Sequence, residues 1–598
     1  MREFSVPATA VVAAEENLTD MVFANAERFA DDVSFRQRRN GAWHDVGARE
    51  FAAQVLAAAK GFIGSGVEPG DRVGLMSRTR YEWTLLDFAI WCAGAIPVPI
   101  YETSSAEQVE WILSDSGATG LVVETDAHRS TVDDVVHKLA AVRQVWQIDA
   151  TSGAVAQLTT AGAQISDADV HARRRTLTAD SPATIVYTSG TTGRPKGCVL
   201  THRNLLAEVK ANTTAFPELM EQGNSLLLFL PLAHVLARAL GLTCVYARLT
   251  VGHTADVKNL VTDLGSFRPS FVVSVPRVFE KVYNTAKQKA HSEGKGKIFD
   301  ASEAVAVRFS QARDAGGAGV VLRAKHLLFD KLVYAKLRAA LGGRCTAAVS
   351  GGAPLGERLA HFFRGAGIPV LEGYGLTETS AAACVNTEKH YKIGTVGMPV
   401  AGTSVRIAED GEILLSGEVV FGEYWNNERA TKESVHDGWF QTGDLGSLDD
   451  DGYLRITGRK KELIVTAGGK NVSPAGLEDR LRANPLVSQC MVVGDKQPFI
   501  AVLITIDEEY FPAWKSQHGK PETATPADLI DDPDLRADVQ AAVDEANTSV
   551  SKAEAIKKFR ILPKDFTEQG GEITPSLKLK RNVVSENYSA DIAAIYAG

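Results

Sequence analysis

The chain has 598 residues, of which 45% are hydrophobic and 23% charged, a globular balance that excludes a disordered, collagen-like or coiled-coil protein. Its formal net charge is −9. Proteins that bind nucleic acids by neutralising backbone phosphates are usually basic, so we expect no nucleic-acid partner. The six cysteines are scattered without a CxxC pair. This argues against a disulfide scaffold or structural zinc site and favours a reducing cytoplasm.

The N-terminus and the most apolar stretch both bear on membrane targeting. The first residues, MREFSVPATAVVAAEEN, lack the sustained apolar core of an export signal. The most membrane-like stretch, residues 83–100, contains Asp87, Pro97 and Pro99, so it predicts a buried helix followed by a strand. We expect a cytoplasmic protein, with peripheral contact to the inner face of the cell membrane as the open alternative.

Five apolar, β-branched runs end in small or polar residues and are followed by helical patterns. Because these runs are hydrophobic on both faces, they predict buried parallel strands flanked by helices, as in an α/β fold. Ligands bind outside the carboxyl ends of such strands, so the five endings predict one convergent active site. The runs are ATIVYTSGTTG (183–193), SLLLFLPLAH (225–234), FVVSVPR (271–277), TAAVSGGAP (346–354) and PVLEGYGLTE (369–378).

The segment 284–343 is rich in Lys, Ala and Arg and contains a Gly-rich patch at 316–319. Its pattern predicts helices that are interrupted at this patch. A solvated helix face is the favoured interpretation of the basic residues, and a membrane-surface patch is the alternative.

After Pro399 the pattern changes to shorter alternating strands and turns. Residues 439–459, WFQTGDLGSLDDDGYLRITGR, predict a hairpin that turns at Asp451-Gly452. We place the main boundary at Gly458–Arg459, which divides the chain into domains 1–458 and 459–598. The second is predicted to be a smaller α+β unit with a helix and two strands at residues 474–482, 487–493 and 499–506.

The strongest chemical signal is YTSGTTGRPKG, at residues 187–197, directly after a predicted strand. Its glycines let backbone N–H groups face an anion, its hydroxyls add donors and Lys196 adds positive charge, as in a phosphate cradle. It is not a Walker A loop, because Lys196 follows Pro195 and precedes Gly197. A flexible surface loop is the structural alternative.

Two residues in the last apolar run, near its end, are candidates for nucleotide and metal binding. Glu378 is a lone carboxylate, which suits Mg2+ when phosphate supplies further ligands; the alternative is a helix N-terminal glutamate favoured by the helix dipole. Tyr374 fits stacking on a purine face, with the backbone of residues 350–354 approaching from another side. A core aromatic is the alternative for Tyr374.

Three further residues have an equally clear structural alternative. Asp444 lies inside the predicted hairpin. It either accepts hydrogen bonds from two ribose hydroxyls, with Arg459 as an added donor, or forms an ion pair across the hairpin with Arg455. His234 follows a strand end and is either a site residue or a structural histidine. Lys578 is either a catalytic cation or a solvated residue of the basic C-terminal run.

Five motifs, in order along the chain, resemble the signatures of the adenylate-forming superfamily, which includes acyl- and aryl-CoA synthetases, peptide-synthetase adenylation domains and luciferase. The resemblance implies an α/β fold with a large N-terminal adenylate-forming domain of stacked α/β sheets and a small, mobile α+β C-terminal domain. The motifs are YTSGTTGRPKG (187–197), YGLTETS (374–380), TGD (442–444), GRKKE (458–462) and PSLKLKR (575–581).

The same resemblance implies the site residues. Thr188 and Glu378 are expected to hold Mg2+, and the expected catalytic residues are Lys578, His234 and Lys196. The family usually has Ser-Gly before its C-terminal lysine, which leaves a choice between Lys578 and Lys580; alignment on Arg581 favours Lys578. The expected nucleotide- and CoA-binding residues are Thr188, Ser189, Gly190, Thr191, Thr192, Gly193, Gly351, Gly352, Ala353, Glu372, Gly373, Tyr374, Gly375, Thr377, Asp444, Arg459, Lys461, Gly468 and Gly469.

Segments 274–283 and 437–446, and the helical insertion between them, resemble bacterial long-chain fatty acyl-CoA synthetases. The segments MREFSVPA (1–8) and YETSSAEQ (101–108) are similar to those of the actinobacterial members. The implied substrates are a long-chain fatty acid, ATP with Mg2+, and coenzyme A. Fatty acid and ATP give acyl-adenylate and pyrophosphate, and then the CoA thiol displaces AMP. Between these steps the C-terminal domain is expected to rotate about Lys461, which exchanges Lys578 for residues 466–470 at the site.

Two alternatives of a different class remain open. One is an acyl-adenylate ligase that loads a carrier protein rather than CoA, and the other is a non-catalytic acyl- or nucleotide-binding protein on the same fold. The joint presence of the five motifs argues against the non-catalytic protein. Chain-length preference, oligomeric state and pathway stay open.

Overall fold

The computed structural model describes residues 2–188, 194–256, 259–574 and 578–597. A nine-stranded sheet is the centre of the larger part of the fold. Four of the five apolar runs form adjacent parallel strands in it, as predicted. In order across the sheet, the strands are Met398–Pro399, Cys384–Val385, Val370–Tyr374, Ala347–Ser350, Phe271–Ser274, Ser225–Leu228, Thr250–His253, Val33–Arg39 and Ala42–Gly47.

The fifth run, which leads into the phosphate-loop motif, is antiparallel. Its strand Pro182–Thr188 pairs with Lys196–Thr201, and Glu423–Tyr424 completes a three-stranded sheet. The prediction of a parallel strand is wrong here because residues 189–195 are too short a connection for a parallel crossover. The register places Thr188 opposite Lys196, so two predicted phosphate-site residues share one end of this hairpin.

Two further sheets confirm local predictions. The stretch at 83–100 is a buried helix, Tyr81–Cys92, followed by a buried strand, Ile96–Ile100. That strand belongs to a four-stranded parallel sheet with Arg72–Met76, Gly120–Val123 and Gln144–Gln147. The predicted hairpin is formed by Trp439–Leu448 and Leu454–Arg459, within a six-stranded sheet that also contains Glu3–Ser5, Thr403–Ile407, Glu412–Gly417 and Val435–His436.

The C-terminal part has its own hydrophobic core. Its helix Pro474–Arg482 and strand Val487–Val493 have the predicted bounds, and the next strand is Ile500–Ile506. Ile556–Ile561 adds a third strand in parallel, and Ile464–Val465 pairs with Asn471–Val472. The remaining helices are Phe511–Gln517, Pro533–Asn547, Arg581–Asn587 and Ser589–Ala597, with 3-10 turns at Lys460–Glu462 and Pro526–Leu529.

Helices cover the sheets of the larger part, and none of those in the described ranges is long and apolar enough to cross a membrane. Residues 284–343 are mainly helical and are interrupted at the glycine patch, as predicted. The helices are Asp20–Arg28, Ala48–Gly64, Ala106–Ser116, Asp126–Val136, Ala154–Ala161, Asp167–Arg174, His202–Ala215, Val235–Tyr246, Leu260–Phe267, Pro276–Ser292, Gly296–Asp314, Val320–Phe329, Ala335–Ala340, Glu357–Gly365 and Glu428–Ser434, with a π-helix at Asp330–Tyr334 and a 3-10 turn at Thr377–Thr379.

A buried ion pair connects two of these helices. Arg238 Nη2 and Nε lie 2.6 and 2.8 Å from the two carboxylate oxygens of Asp87, and both side chains are 3% exposed. The third donor, Nη1, lies 2.6 Å from the hydroxyl of Thr184 on the strand Pro182–Thr188. Because every partner is buried, removing one of them leaves an uncompensated charge inside the protein.

We therefore expect Asp87→Ala to lower the free energy of unfolding by about 3–5 kcal/mol. The matched control is Asp45→Ala, which removes the exposed partner of Arg36 at 2.9 Å and is expected to cost about 1 kcal/mol or less. Urea unfolding followed by circular dichroism measures both. Equal losses in the two variants would contradict the assigned role of the buried pair.

Candidate active site

A cavity of about 790 Å³ opens where the central sheet, the phosphate-loop hairpin and the C-terminal part meet. Its walls include residues at the carboxyl ends of three strands, Pro182–Thr188, Ala347–Ser350 and Val370–Tyr374. The structure thus brings together most of the predicted site residues. Those that line the cavity are Thr188, Lys196, His234, Gly351, Gly352, Gly373, Tyr374, Gly375, Thr377, Glu378, Arg459, Lys461 and Lys578.

Other predicted residues lie elsewhere. Ser189, Gly190, Thr191, Thr192 and Gly193 are outside the described residues. Asp444, Ala353, Glu372, Gly468 and Gly469 are not among the residues that line the cavity.

The structure shows where Glu372 and the pair Gly468-Gly469 lie instead of in the cavity wall. Glu372 is buried and accepts a hydrogen bond from the Leu355 N–H at 3.0 Å, and burial raises its pKa to about 8. Its side chain therefore bonds to the backbone of residue 355 rather than lining the cavity. Gly468 and Gly469 are exposed between the strands Ile464–Val465 and Asn471–Val472; their expected approach to the site after rotation stays a prediction.

Asp444 lies directly behind the cavity wall, where it joins three parts of the fold. Its Oδ2 accepts a hydrogen bond from the Tyr374 hydroxyl at 2.6 Å, and its Oδ1 lies 2.9 Å from Arg459 Nε. Arg455, the partner considered from the sequence, instead lies 3.4 Å from Glu357. That pairing prediction is wrong because Asp444 faces Arg459, not Arg455, across the hairpin.

Glu378 is the one carboxylate of the YGLTETS motif, and it borders the cavity beside the phosphate-loop hairpin. It is 9% exposed, and its Oε1 accepts a hydrogen bond from the Tyr424 hydroxyl at 2.7 Å. Lys196 Nζ lies 5.2 Å from the centre of the Tyr424 ring. A single carboxylate with nearby hydroxyls fits Mg2+, which takes one or two protein oxygens and completes its shell with phosphate and water. Tyr424 is a site residue that the sequence patterns did not indicate.

His234 caps the helix Val235–Tyr246 and lines the cavity. Burial, with a smaller contribution from the positive charge of Lys578, lowers the pKa of His234 to about 3. The ring is therefore neutral near pH 7. Its Nδ1 accepts a hydrogen bond from the Leu236 N–H at 3.2 Å, which assigns the ring proton to Nε2. His234 is thus an uncharged hydrogen-bond donor at the cavity.

Lys578 enters the cavity from the C-terminal part. Its backbone is held to Thr574 by two hydrogen bonds, from Lys578 N to the hydroxyl at 3.0 Å and from Thr574 N to Lys578 O at 2.8 Å. Desolvation by nearby protein groups and then the positive charge of Arg459 lower the pKa of Lys578, although the residue as a whole is exposed. Lys580 does not line this cavity, so the geometry supports Lys578 of the two candidates.

The loop that presents Glu378 is tightly curled. A Cβ on Gly375 would lie 1.6 Å from the carbonyl oxygen of Ala381, so only glycine fits where the loop returns on itself. Ser380 and Ala381 have φ of +60° and +133°, which L side chains rarely adopt. Such a backbone persists only where neighbouring contacts hold it.

Glu208 supplies one of those contacts and was missed by sequence reasoning. Its Oε1 accepts hydrogen bonds from the N–H of Ala382 and the amide of Asn212, each at 2.9 Å. Glu208 is fully buried, borders the same cavity, and burial raises its pKa to about 8. We interpret it as an uncharged residue at pH 7 that positions the loop carrying Glu378. A glutamate is common within helical sequences, so the sequence pattern alone does not indicate this role.

Comparison with known proteins agrees with this geometry. Residues 22–425 match the family model for the AMP-binding enzyme, and residues 461–598 match the model for the AMP-binding enzyme C-terminal domain. The chain belongs to the AMP-binding enzyme family. It is 56% identical to the long-chain-fatty-acid–CoA ligase FadD15 of Mycobacterium bovis, over 100% of both chains.

Solved structures of this family confirm the predicted fold class. The chain resembles the anthranilate CoA ligase AuaEII in complex with anthranoyl-AMP, with a TM-score of 0.72, 19% identity, and coverage of 98% of this chain and 99% of that one. It also resembles the O-succinylbenzoate coenzyme A synthetase MenE of Bacillus subtilis, in complex with ATP and magnesium ion. Here the TM-score is 0.67 and the identity 20%, over 94% of this chain and 98% of that one. At this level of identity the likeness shows the shared fold.

The role of Glu208 can be tested with two substitutions. Glu208→Leu leaves the Ala382 N–H unpaired, at a cost of about 1–3 kcal/mol, so we expect kcat/KM for Mg-ATP in pyrophosphate release to fall about tenfold. Glu208→Gln keeps a neutral acceptor and is expected to stay within about twofold. Since the parent carboxyl ionises as the pH rises through about 8, parent activity should decline there and that of the Gln variant should not. A fully active Leu variant, or the same alkaline decline in the Gln variant, would refute the assignment.

Proposed function

We propose that the chain is an ATP- and Mg2+-dependent long-chain fatty acid–CoA ligase. In the first step the fatty acid carboxylate attacks the α-phosphorus of ATP, giving acyl-adenylate and pyrophosphate. In the second the CoA thiol attacks the acyl carbonyl, giving acyl-CoA, AMP and a proton. The observation that carries the proposal is a cavity whose lining combines polar and cationic residues with a set of apolar residues and includes Lys578.

The polar and cationic part of the lining suits a nucleoside triphosphate. Lys196 and Thr188, at the end of the phosphate-loop hairpin, are assigned to the phosphates, and Tyr374 to the adenine face. Asp444 and Arg459 are assigned to the ribose, although both Asp444 oxygens are engaged by protein groups here. Glu378 and Thr188 would hold Mg2+, which when bound neutralises phosphate charge.

Two residues of the lining, Lys578 and His234, are assigned to the reacting groups. Lys578 is assigned to stabilise the negative charge that develops on the carboxylate and α-phosphate. The Nε2–H of His234 is assigned to the acyl carboxyl group, which a neutral donor orients without adding charge. His234 and Lys578 are close enough that the lysine lowers the histidine pKa, which supports their action on one substrate.

The apolar part of the lining suits a hydrocarbon chain. Transfer of each methylene from water contributes about 0.8 kcal/mol, so an apolar channel binds a long chain tightly without specific polar contacts. The chain length that it accepts stays open. Its lining includes Phe216, Met220, Ala239, Leu240, Phe271 and Val349.

The arrangement with Lys578 in the cavity corresponds to the adenylation step. We propose that the C-terminal domain then rotates about Lys461, with the boundary at Gly458–Arg459, and brings Gly468 and Gly469 to the CoA path. Lys461 lies in the short 3-10 turn Lys460–Glu462 that follows the hairpin, where a few backbone torsions suffice for a hinge. We place the enzyme in the cytoplasm, with peripheral contact to the inner face of the membrane.

Assaying the two half-reactions separately tests this proposal. The parent should form acyl-CoA with CoA as the sole acceptor. Lys578→Ala should slow acyl-AMP formation by about 10²–10³-fold, the loss seen when one charge-stabilising donor is removed, and should spare thioester formation from supplied acyl-AMP and CoA. Lys580→Ala, which changes a cation outside the cavity wall, is the matched control and should retain both steps.

Three outcomes would contradict the proposal. Equal slowing of both steps by Lys578→Ala would exclude a role confined to adenylation. An adenylation defect in Lys580→Ala alone would place the catalytic lysine at residue 580. Formation of acyl-AMP without any acyl-CoA would indicate instead a ligase that loads a carrier protein.

A further inference from the structure

The helix Val320–Phe329 is exposed to an unusual degree, since none of its side chains is buried. Ten large hydrophobic residues are exposed in the described chain, and half of them fall between residues 320 and 332. These five are Val320 (83% exposed), Val321 (72%), Leu327 (67%), Leu328 (56%) and Leu332 (44%). We call them the apolar face.

The opposite side of this helix fixes its orientation. At about 100° per residue, Val320, Val321, Leu327 and Leu328 fall on one side, whereas His326 and Phe329 fall on the other. His326 Nε2 lies 2.6 Å from the carbonyl oxygen of Gly365, and its ring stacks on Phe309 with centroids 3.8 Å apart. Phe329 packs against a buried hydrophobic cluster. Because the inner side is packed in this way, the apolar face points to solvent as a consequence of the fold.

Cations accompany the apolar face along the chain. Arg323, Lys325, Lys331 and Lys336 are exposed, and none of them forms a salt bridge with a residue in the described ranges. Residues 315–340 contain five Lys and Arg but only one acid, Asp330, so their net charge is +4, in a chain whose net charge is −9. Asp330 is itself paired with Arg338. The free charges therefore favour an anionic partner.

We propose that the apolar face, with the four exposed cations of the same segment, binds the surface of an anionic lipid bilayer. The helix is too short to span a membrane, but an amphipathic helix with a basic rim lies in the interface with its apolar side chains among the acyl chains. Each nearby Lys or Arg adds attraction to anionic headgroups. Two copies of this chain meeting through the same face would place like charges opposite each other, which disfavours self-association.

This surface also has a use if the proposed function holds. Long-chain fatty acids partition into bilayers, so an enzyme held at the interface samples a higher substrate concentration than one in bulk water. That benefit rests on the proposed function, whereas the binding itself does not. The two are therefore tested separately, and the binding experiment contains no ATP, fatty acid or CoA.

Co-sedimentation with vesicles tests the binding directly. The full chain should sediment with vesicles of phosphatidylcholine containing about one-third phosphatidylglycerol, and less with pure phosphatidylcholine or at about 1 M NaCl, where charge is screened within about 3 Å. The double variant Leu327→Glu/Leu328→Glu should lower the partition coefficient at least about tenfold. Val261→Glu, which alters a side chain that is 56% exposed on another helix, is the matched control and should bind like the parent.

A site-specific probe tests which surface makes the contact. All six native cysteines are buried, so an environment-sensitive fluorophore can be attached at Leu328→Cys or, as a control, at Val261→Cys. Addition of the anionic vesicles should shift the emission to the blue at residue 328 and leave it unchanged at residue 261. Equal binding by the double variant, no blue shift at residue 328, or a concentration-dependent dimer that the double variant abolishes would overturn the proposal.

Discussion

The carboxylate of Asp444 is the point at which three parts of the molecule are joined. It accepts a hydrogen bond from the hydroxyl of Tyr374, at the end of the central sheet, and pairs with Arg459 at the end of the hairpin. Arg459 immediately precedes the turn that leads into the C-terminal part. Because Asp444 is buried, losing its Arg459 partner would leave the carboxylate without a compensating charge. Asp444 therefore links the cavity wall at Tyr374 to the segment that leads into the C-terminal part.

The electrostatics around the cavity follow from the substrates that we propose. A fatty acid carboxylate and a triphosphate are both anionic, so they repel each other before they react. Lys196, Arg459 and Lys578 supply opposing charge from three different parts of the fold, whereas His234 is held neutral by burial. Lys578 is the cation contributed from beyond the predicted hinge, so a rotation would remove positive charge from the site after adenylation. The same residue thereby connects chemistry with domain movement.

Much of this could be predicted from the sequence. Where side-chain pattern determines structure, as in the buried helix and strand at 83–100 or the helix Pro474–Arg482, the predictions were confirmed. The ordered motifs indicated Thr188, Tyr374, Glu378 and Lys578 as members of one site, and all four line one cavity.

What could not be predicted depends on contacts between distant parts of the chain. The strand Pro182–Thr188 looks like its parallel counterparts in composition, and only its pairing shows it to be antiparallel. Glu208 and Tyr424 reach the Glu378 loop from other elements, and no local pattern marks either. For the segment that contains the apolar face, the sequence favoured a solvated helix face over a membrane-surface patch, because only packing shows which side of the helix stays exposed.

The central claim is that a carboxylate oxygen attacks the α-phosphorus of ATP in the cavity that contains Lys578. The most direct measurement uses a long-chain fatty acid labelled with ¹⁸O in both carboxylate oxygens, together with ATP, Mg2+ and CoA, and mass spectrometry of the products. Because the acyl–oxygen bond of the adenylate breaks when the thiol attacks, we expect one ¹⁸O atom in AMP and the other in the acyl-CoA carbonyl. Unlabelled AMP, or ¹⁸O in an inorganic phosphate product, would contradict the account.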